Sequence, residues 1–263
     1  MMIGKTHEIN FYIQKNKFLF EELVKRDFKK KYKRTILGMF WSVLSPLMML
    51  GVMAFIFGQF FGRGTSHYIV YLFTGQVVFN YYVESTNEGM GALANNAAIF
   101  KKINVPKYLF LFSKNISALI NFAIILGIYF LFVLGDGITI HINFLCLVYP
   151  LLCLIFMNLG IGLILSALFV FFKDIQYLYR LFTQVVMYGS AIFYNIDTMS
   201  PAVQSVFYFN PVFDCIHYMR CIVIDGYIPD LRMHCILAAY AVSLFALGIY
   251  IYKKYNYRFL YYI

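Results

Sequence analysis

Charged side chains are scarce in this chain. Asp, Glu, Lys and Arg make up 13% of its 263 residues, whereas soluble domains carry about a quarter. Hydrophobic residues reach 62%, against roughly half in a typical soluble domain. This composition excludes a soluble globular protein. The length leaves room for one integral membrane domain with short loops, but hardly for a separate soluble catalytic domain.

Residue patterns that carry chemistry are also missing. The five cysteines have no zinc or redox spacing, the five histidines are scattered, and no two acidic residues form a pair suited to acid–base catalysis. Gly4-Lys5-Thr6 matches the end of a phosphate-binding loop, but the chain starts too close to it to supply the earlier glycine and the preceding strand. We therefore expect no catalytic site, no metal and no cofactor bound by this chain.

Long uncharged runs dominate what is present. At 1.5 Å per residue, about 20 apolar residues in a helix cross a hydrocarbon core roughly 30 Å thick. We expect the second span to continue toward Met90 and the fourth to bend or tilt at Pro150. The sequence predicts an all-α membrane protein with six transmembrane helices at residues 36–61, 68–83, 116–134, 143–172, 175–193 and 235–252.

Lysine and arginine are distributed unevenly over the predicted loops. With the N-terminus in the cytoplasm, 19 of the 22 lie on the cytoplasmic side, and only Arg63, Arg220 and Arg232 lie outside. Positive loops resist translocation, so both termini are predicted to be cytoplasmic. The net charge of +10 then reflects topology and attraction to anionic lipid, not nucleic-acid binding. The first 35 residues are too charged for a signal-peptide core, so no cleaved leader is expected.

Residues 1–35 are predicted to form an amphipathic helix along the cytoplasmic interface, and residues 36–263 the transmembrane domain. Such a helix acts either as a topology anchor or as a partner-binding surface. Apolar residues recur at helical spacing on one face and charged residues on another: Phe20, Leu23, Val24 and Phe28 against Lys17, Glu21, Lys25 and Lys29.

Residues 95–106, between the second and third predicted spans, combine capping asparagines, a short helical body and a terminating proline, Pro106. On the cytoplasmic side, a short helix parallel to the membrane would insert into a soluble partner. An ordinary connector would show the same pattern, so both interpretations stay open.

Two polar stripes lie in the predicted spans. Side chains four residues apart share a helix face, and polar groups that face lipid are costly, so both stripes should point into the bundle or a wet cavity. They either line a passage or form hydrogen bonds between helices. The stripes consist of Gln76, Asn80, Glu84 and Glu88 in and below the second span, and of Gln176, Arg180, Gln184 and Tyr188 in the fifth.

Residues 195–234, between the fifth and sixth predicted spans, are rich in aromatic residues and poor in charge. Asn210-Pro211 predicts the start of a helix there. Short re-entrant helices that dip into the outer leaflet would explain both features. An amphipathic hairpin packed over the bundle is the alternative.

Several motifs occur together along the chain. Arg26-Asp27 precedes residues 32–41 (YKRTILGMFW) and Pro46, and residues 101–106 (KKINVP), 172–175 (FKDI), 190–194 (SAIFY), Asn210-Pro211 and Arg220 follow. This series resembles the membrane-spanning subunits of ABC-2 type exporters, and within them the polysaccharide exporters for O-antigen, capsule and teichoic acid. The resemblance covers nearly the whole length. Ala191 stands where proline is common in that family.

The resemblance implies a permease of the bacterial plasma membrane that forms a homodimer and binds two copies of a cytoplasmic ABC ATPase, which would bind ATP and Mg²⁺. Its implied cargo is a polyprenyl-pyrophosphate-linked polysaccharide, moved outward through a channel between the subunits. Aromatic rings would give a sliding polymer loose contacts, and cations would attract the pyrophosphate. The predicted channel residues are Gln76, Asn80, Tyr81, Tyr82, Glu84, Tyr177, Arg180, Gln184 and Tyr188; Arg34 and Arg180 are predicted to attract pyrophosphate, and Asn96, Phe100, Lys101, Lys102 and Pro106 to form the ATPase contact.

Other functions fit the same composition. They are an ABC-2 exporter of another lipid or drug, a membrane enzyme acting on lipid-linked sugars, and a self-sufficient channel or ion-driven carrier. The enzyme would need buried acidic or histidine clusters, and a carrier usually has internal repeats; the sequence shows neither pattern clearly.

Overall fold

The computed structural model describes residues 2–32, 38–62, 65–100, 102, 105–197 and 199–262, without the side chains of residues 2–15, 32, 100, 260 and 261. Two predicted site residues, Arg34 and Lys101, lie outside this set, as does the side chain of Phe100.

The described residues form helices and connecting loops without strands, as predicted. Single 3-10 helices at Ala94–Asn96 and Ile142–Leu147 precede α4 and α6. The α-helices are α1 Met2–Tyr32, α2 Phe40–Phe61, α3 Tyr68–Gly91, α4 Ala97–Phe100, α5 Tyr108–Gly135, α6 Val148–Phe171, α7 Ile175–Tyr188, α8 Pro201–Phe207, α9 Pro211–Val223, α10 Leu231–Tyr255 and α11 Phe259–Tyr262.

Within the residues that the structure describes, four helical segments are long and apolar enough to cross a membrane. They are α2, α5, α10 and the continuous segment Ile142–Phe171, in which the 3-10 turn leads into α6 two residues before Pro150. Four of the six predicted spans therefore meet this test. α3 reaches Gly91, as expected, but carries Glu84 and Glu88 in its second half. α7 has 14 residues and ends at Tyr188, five residues before the predicted end of the fifth span.

α3 is the central helix of the bundle. Sixteen of its 24 residues are buried, and it packs against α2, α5, α6 and α9. Its Phe73 is fully buried and meets the Tyr129 ring of α5 edge to face, with 5.6 Å between ring centroids. Because protein surrounds α3, polar residues on it need not face lipid.

α6 and α10 pack through two glycines. A Cβ added to Gly160 would lie 2.5 Å from the carbonyl oxygen of Leu244, and one added to Gly248 would lie 2.5 Å from the carbonyl oxygen of Gly160. Real Cβ atoms do not approach so closely. Small residues that let helix backbones touch are a common means of helix association in membranes.

Both terminal segments lie at one end of the bundle. Leu23 of α1 is buried against Phe110 at the start of α5, while Lys17, Lys25 and Lys29 are exposed. The position of this helix along the cytoplasmic interface stays a prediction. Lys107 Nζ donates to the Asn256 carbonyl oxygen at 2.7 Å, next to the end of α10, and burial lowers the pKa of Lys107.

The segment between α7 and α10 contains two short helices. α9 begins at Pro211, and the Asn210 side chain accepts a hydrogen bond from the Val212 backbone N–H at 3.0 Å, which confirms the predicted helix start. Eleven of the 13 residues of α9 are buried, whereas none of the residues of α8 is.

Candidate functional site

The predicted channel residues of α3 fall in two environments. Gln76, Tyr81 and Tyr82 are buried within the single chain. Gln76 Nε2 donates to the Pro46 carbonyl oxygen of α2 at 3.0 Å, and the Tyr81 ring stacks on Phe122 of α5 with centroids 4.4 Å apart. Gln76 and Tyr81 thus join α3 to α2 and α5, which is the contact between helices that the sequence left open as the alternative, and Tyr82 is buried as well.

Asn80 and Glu84 are half-buried. Glu84 pairs through one carboxylate oxygen with Lys31 at the end of α1, and its other oxygen accepts from Asn121 Nδ2 of α5 at 2.8 Å. Glu88, one turn further along, pairs with Lys114 at 2.8 Å. The lower part of the α3 stripe is thus a set of ion pairs that ties α3 to α1 and α5.

Three residues of the predicted α7 stripe, Arg180, Gln184 and Tyr188, are exposed, whereas the fourth, Gln176, is half-buried. Tyr177 follows the same intervals of three and four residues and shares the exposed face. Tyr177 and Tyr188 are 60% and 61% exposed. Within the described part of the chain, neither Arg180 nor Gln184 has a side-chain hydrogen bond or ion pair. The opposite face contacts the bundle through Tyr179 and Thr183, the two buried residues of this helix.

A hydrogen bond fixes α7 against the core. The Tyr179 hydroxyl donates to Thr86 Oγ1 of α3 at 2.6 Å, and Tyr179 packs in a small cluster with Met90 and Leu165. The exposed stripe therefore stands on a helix whose rotation about its axis is set by buried contacts.

Beyond α7 the chain turns sharply at Ala191, whose φ of +45° lies in the left-handed region. Proline cannot adopt this angle, so alanine at this position suits the turn that is observed. A buried arginine of α9, Arg220, holds the turn: its Nη atoms donate to the carbonyl oxygens of Ala191 at 2.9 Å and Ile192 at 3.2 Å.

Arg220 also ties this turn to α3. It donates to the Tyr71 carbonyl oxygen at 3.1 Å, and its guanidinium lies 3.4 Å from the centroid of the Tyr71 ring. A Cβ on Gly75 would lie 3.0 Å from the guanidinium, so this glycine leaves the space that Arg220 needs. The sequence named Arg220 as one of three cations outside the cytoplasm and as part of a resemblance; nothing local in the sequence indicated that its guanidinium would lie in the interior.

At the other end of the bundle, α1 is joined to residues 95–106, which contain the predicted ATPase contact. Asp27 is buried and accepts hydrogen bonds from Arg26 at 2.7 and 3.0 Å and from Ser113 Oγ of α5 at 3.0 Å. Arg26 Nη2 also donates to Asn96 Oδ1 at 2.8 Å. Lys114 lies 3.8 Å from Asp27. We call Arg26, Asp27 and Asn96 the coupling joint.

Around the coupling joint, the described part of residues 95–106 matches its predicted form. α4 continues the 3-10 turn that contains Asn96, and Pro106 precedes α5. Lys102 is exposed, whereas Asn96 is buried and donates to the Ala92 carbonyl oxygen at 2.8 Å. The segment thus has an exposed side that a partner can reach and a buried side fixed to α1.

Comparison with known proteins agrees with this architecture. A family model described as "ABC-2 type transporter" matches residues 19–223. The chain is 26% identical over 247 residues to the O-antigen export system permease protein RfbA of Klebsiella pneumoniae, covering 92% of this chain and 95% of that protein. It is 23% identical to RfbA of Myxococcus xanthus, with 84% and 86% covered, and 25% identical to the polysialic acid transport protein KpsM of Escherichia coli, with 89% and 92% covered. The chain belongs to the ABC-2 type transporter family, whose members are membrane-spanning transport subunits.

Proposed function

We propose that this chain is the membrane-spanning subunit of an ATP-driven exporter that moves a polyprenyl-pyrophosphate-linked polysaccharide across the plasma membrane. The observation that carries the proposal is the exposed side of α7, where two tyrosines, an arginine and a glutamine lie beside exposed apolar side chains such as Leu181 and Val185. The export functions in the names of RfbA and KpsM support a polysaccharide cargo.

In the membrane, the exposed face of α7 must be shielded from lipid. A charged side chain in the hydrocarbon core costs at least about 2.5 kcal/mol, so Arg180 would not face lipid. A second copy of the chain would bring its own α7 face opposite the first and enclose a polar path between them. Large apolar side chains of α2, such as Phe55 at 79% and Phe60 at 77% exposure, offer further surface to a partner or to lipid. The exporter is therefore proposed to be a homodimer.

The chemistry of this face suits a glycan. The aromatic faces of Tyr177 and Tyr188 can stack on sugar C–H groups, while Tyr hydroxyls and the Gln184 amide exchange hydrogen bonds with sugar hydroxyls. Arg180 would attract the lipid pyrophosphate by charge-assisted hydrogen bonds. The predicted residues Gln76, Tyr81 and Tyr82 then support the path from behind rather than touch the polymer.

The same proposal includes six membrane crossings with both termini in the cytoplasm. α3 needs no apolar surface, because the other helices enclose it. α7 alone would extend about 21 Å, so it would cross together with the turn at residues 189–194 that Arg220 holds. α9 would then lie as a re-entrant helix at the outer side.

ATP hydrolysis is assigned to a separate ATPase that binds ATP and Mg²⁺ and docks on the exposed side of residues 95–106, around Lys102. The coupling joint would transmit motion, since it bonds α1, this segment and α5 into one unit.

Export and stability of matched arginine variants test the proposal. The chain is expressed with its ATPase, and glycan export is measured beside thermal unfolding of the purified protein. Arg180→Ala should reduce export at least tenfold without lowering the unfolding temperature, because its side chain has no partner in the described residues. Arg258→Ala, which removes an exposed arginine beyond the end of α10, is the control and should leave export through the α7 path unchanged. If Arg180→Ala lowers export and stability in parallel, the substrate role is wrong.

A further inference from the structure

A cavity of about 700 Å³ lies apart from the α7 face and the coupling joint, between α8, α9, the loop that follows α9 and the first turns of α10. Its size is in the range of small-molecule binding sites, about 300–1,000 Å³. Part of its rim is open, because Tyr208 and Tyr227 are 40% and 52% exposed.

Asp214 of α9 is among the residues that line this cavity. Its carboxylate oxygens are closed off from the cavity in the unliganded chain, so a ligand would reach them by displacing a neighbouring side chain. The residue is 1% exposed, and among the described residues neither carboxylate oxygen has a hydrogen-bond partner. Burial raises the pKa of this carboxyl to about 7. A buried polar group without a partner costs free energy, so Asp214 contributes little to folding that asparagine would not.

Helix capping does not account for Asp214. Acidic residues in a first turn can stabilise a helix by accepting from its free N–H groups. In α9 the Asn210 side chain already accepts from the Val212 N–H, at 3.0 Å. A role outside folding therefore remains for the Asp214 carboxylate.

The other lining groups combine aromatic faces with hydroxyl groups. Tyr208, Tyr227 and Tyr240 contribute rings and phenolic hydroxyls, and His217 adds an imidazole that stacks on Phe213 with 5.6 Å between centroids. Phenolic hydroxyls both donate and accept hydrogen bonds, as sugar hydroxyls do, and the rings offer flat apolar faces to sugar C–H groups.

We propose that this cavity binds one or two sugar units of the exported glycan, with Asp214 accepting hydrogen bonds from sugar hydroxyls and the tyrosine rings stacking on the sugar. This inference rests on the proposed function and adds a glycan site on the outer side. Asp230 and Arg232 also line the cavity, so its lining carries charges of both signs. The ammonium of a lipid headgroup is the other ligand that a buried carboxylate would attract, and the binding experiment distinguishes it from a sugar.

Oligosaccharide binding to the exporter tests the site. The exporter, with its ATPase, is placed in lipid nanodiscs, and the probe is the oligosaccharide mixture released by mild acid from the surface polysaccharide of the producing cells. Binding is measured by titration calorimetry and by saturation-transfer NMR. Asp214→Asn should raise Kd at least tenfold, while its unfolding temperature stays the same or rises. Asp197→Asn makes the same chemical change in the same outer segment away from the cavity lining, and it should change Kd less than twofold.

A second variant, Tyr240→Phe, keeps the test valid if Asp214→Asn fails to fold. Tyr240→Phe removes only a hydroxyl from the cavity wall, and it should raise Kd about threefold, equivalent to the loss of a hydrogen bond worth about 0.7 kcal/mol. Equal affinities of wild type, Asp214→Asn and Tyr240→Phe would overturn the site.

Other outcomes separate the site from the proposed function. If the wild-type exporter moves glycan but binds no oligosaccharide here, the site is wrong and the exporter assignment stands. If glycerophosphoethanolamine binds in an Asp214-dependent way and the oligosaccharides do not, the cavity holds a lipid headgroup and the glycan site is wrong. If the intact complex moves no glycan at all, the proposed function itself fails.

Discussion

The backbone contact between α6 and α10 gives a sharp prediction for alanine at Gly160. A methyl group there would lie 2.5 Å from the carbonyl carbon and oxygen of Leu244 and 2.6 Å from the Phe245 nitrogen. Favourable carbon contacts lie at about 3.5–4.0 Å, so the two helices would have to separate by roughly 1 Å. Such overpacking costs typically about 1–3 kcal/mol.

Gly127 of α5 is a matched control for Gly160. It also lies in the middle of a long apolar helix, but a Cβ there meets no atom within 4 Å. Gly127→Ala should stabilise the protein by about 0.5–1 kcal/mol, because alanine loses less conformational freedom in a helix than glycine. The two variants should therefore differ by about 1.5–4 kcal/mol, which corresponds to roughly 3–16 °C in Tm for a chain of this size.

Thermal unfolding in detergent micelles, followed by circular dichroism, measures this difference. Gly160→Ala should unfold below wild type and Gly127→Ala at or above it. Equal Tm values for the two variants, within a degree, would show that α6 and α10 do not touch through their backbones.

Three further predictions concern the described contacts. Arg220→Lys should lower the free energy of unfolding by at least about 2 kcal/mol, because lysine cannot reach all three carbonyl oxygens and each lost bond to a charged donor is worth about 1.5–3 kcal/mol; an unchanged Tm would contradict this. A double-mutant cycle of Arg26→Ala and Asn96→Ala should give a coupling energy of about 1 kcal/mol in thermal unfolding. A value near zero would show that Arg26 and Asn96 do not interact in the coupling joint. In a chain without its native cysteines, a cysteine placed at Gln184 should form cross-linked dimers with a short bifunctional thiol reagent. A cysteine at Val242, an exposed position of α10, should not. The reverse pattern would contradict the proposed subunit arrangement.

Elements whose limits are set by local chemistry were predictable from the sequence. The apolar runs predicted the presence of α2, α5, α6 and α10, since few residues other than apolar ones can occupy a helix that faces lipid. The start of α5 was not predicted: the helix begins at Tyr108, eight residues before the predicted span. Asn210-Pro211 gave the start of α9, because the capping amide and the fixed φ of proline act within one turn.

The fifth predicted span is longer than α7, because the span was defined only by the absence of charged residues and the helix ends for another reason. Residues 189–193 are uncharged, so the run appeared to continue to Phe193. The helix ends at Tyr188, because Gly189 and Ser190 follow and Ala191 turns into the left-handed region. Glycine after a helix is a common stop signal.

The contacts that unite the candidate site were not predictable. A four-residue spacing shows that Gln76 and Glu84 share a helix face, but it does not show which helix covers that face. The coupling joint connects Arg26 to Asn96, 70 residues apart, and Arg220 reaches Tyr71 over 149 residues. Such pairs depend on the packing of the whole bundle.

Reconstituted transport tests the exporter assignment most directly. The purified chain and its ATPase are placed together in liposomes that contain a fluorescent, short-glycan polyprenyl pyrophosphate, and the appearance of glycan on the side opposite the ATPase is measured. We predict movement only when this chain, the ATPase and ATP with Mg²⁺ are all present. Movement by the chain alone without nucleotide, or steady ATP hydrolysis by the complete complex with no glycan crossing, would contradict the account.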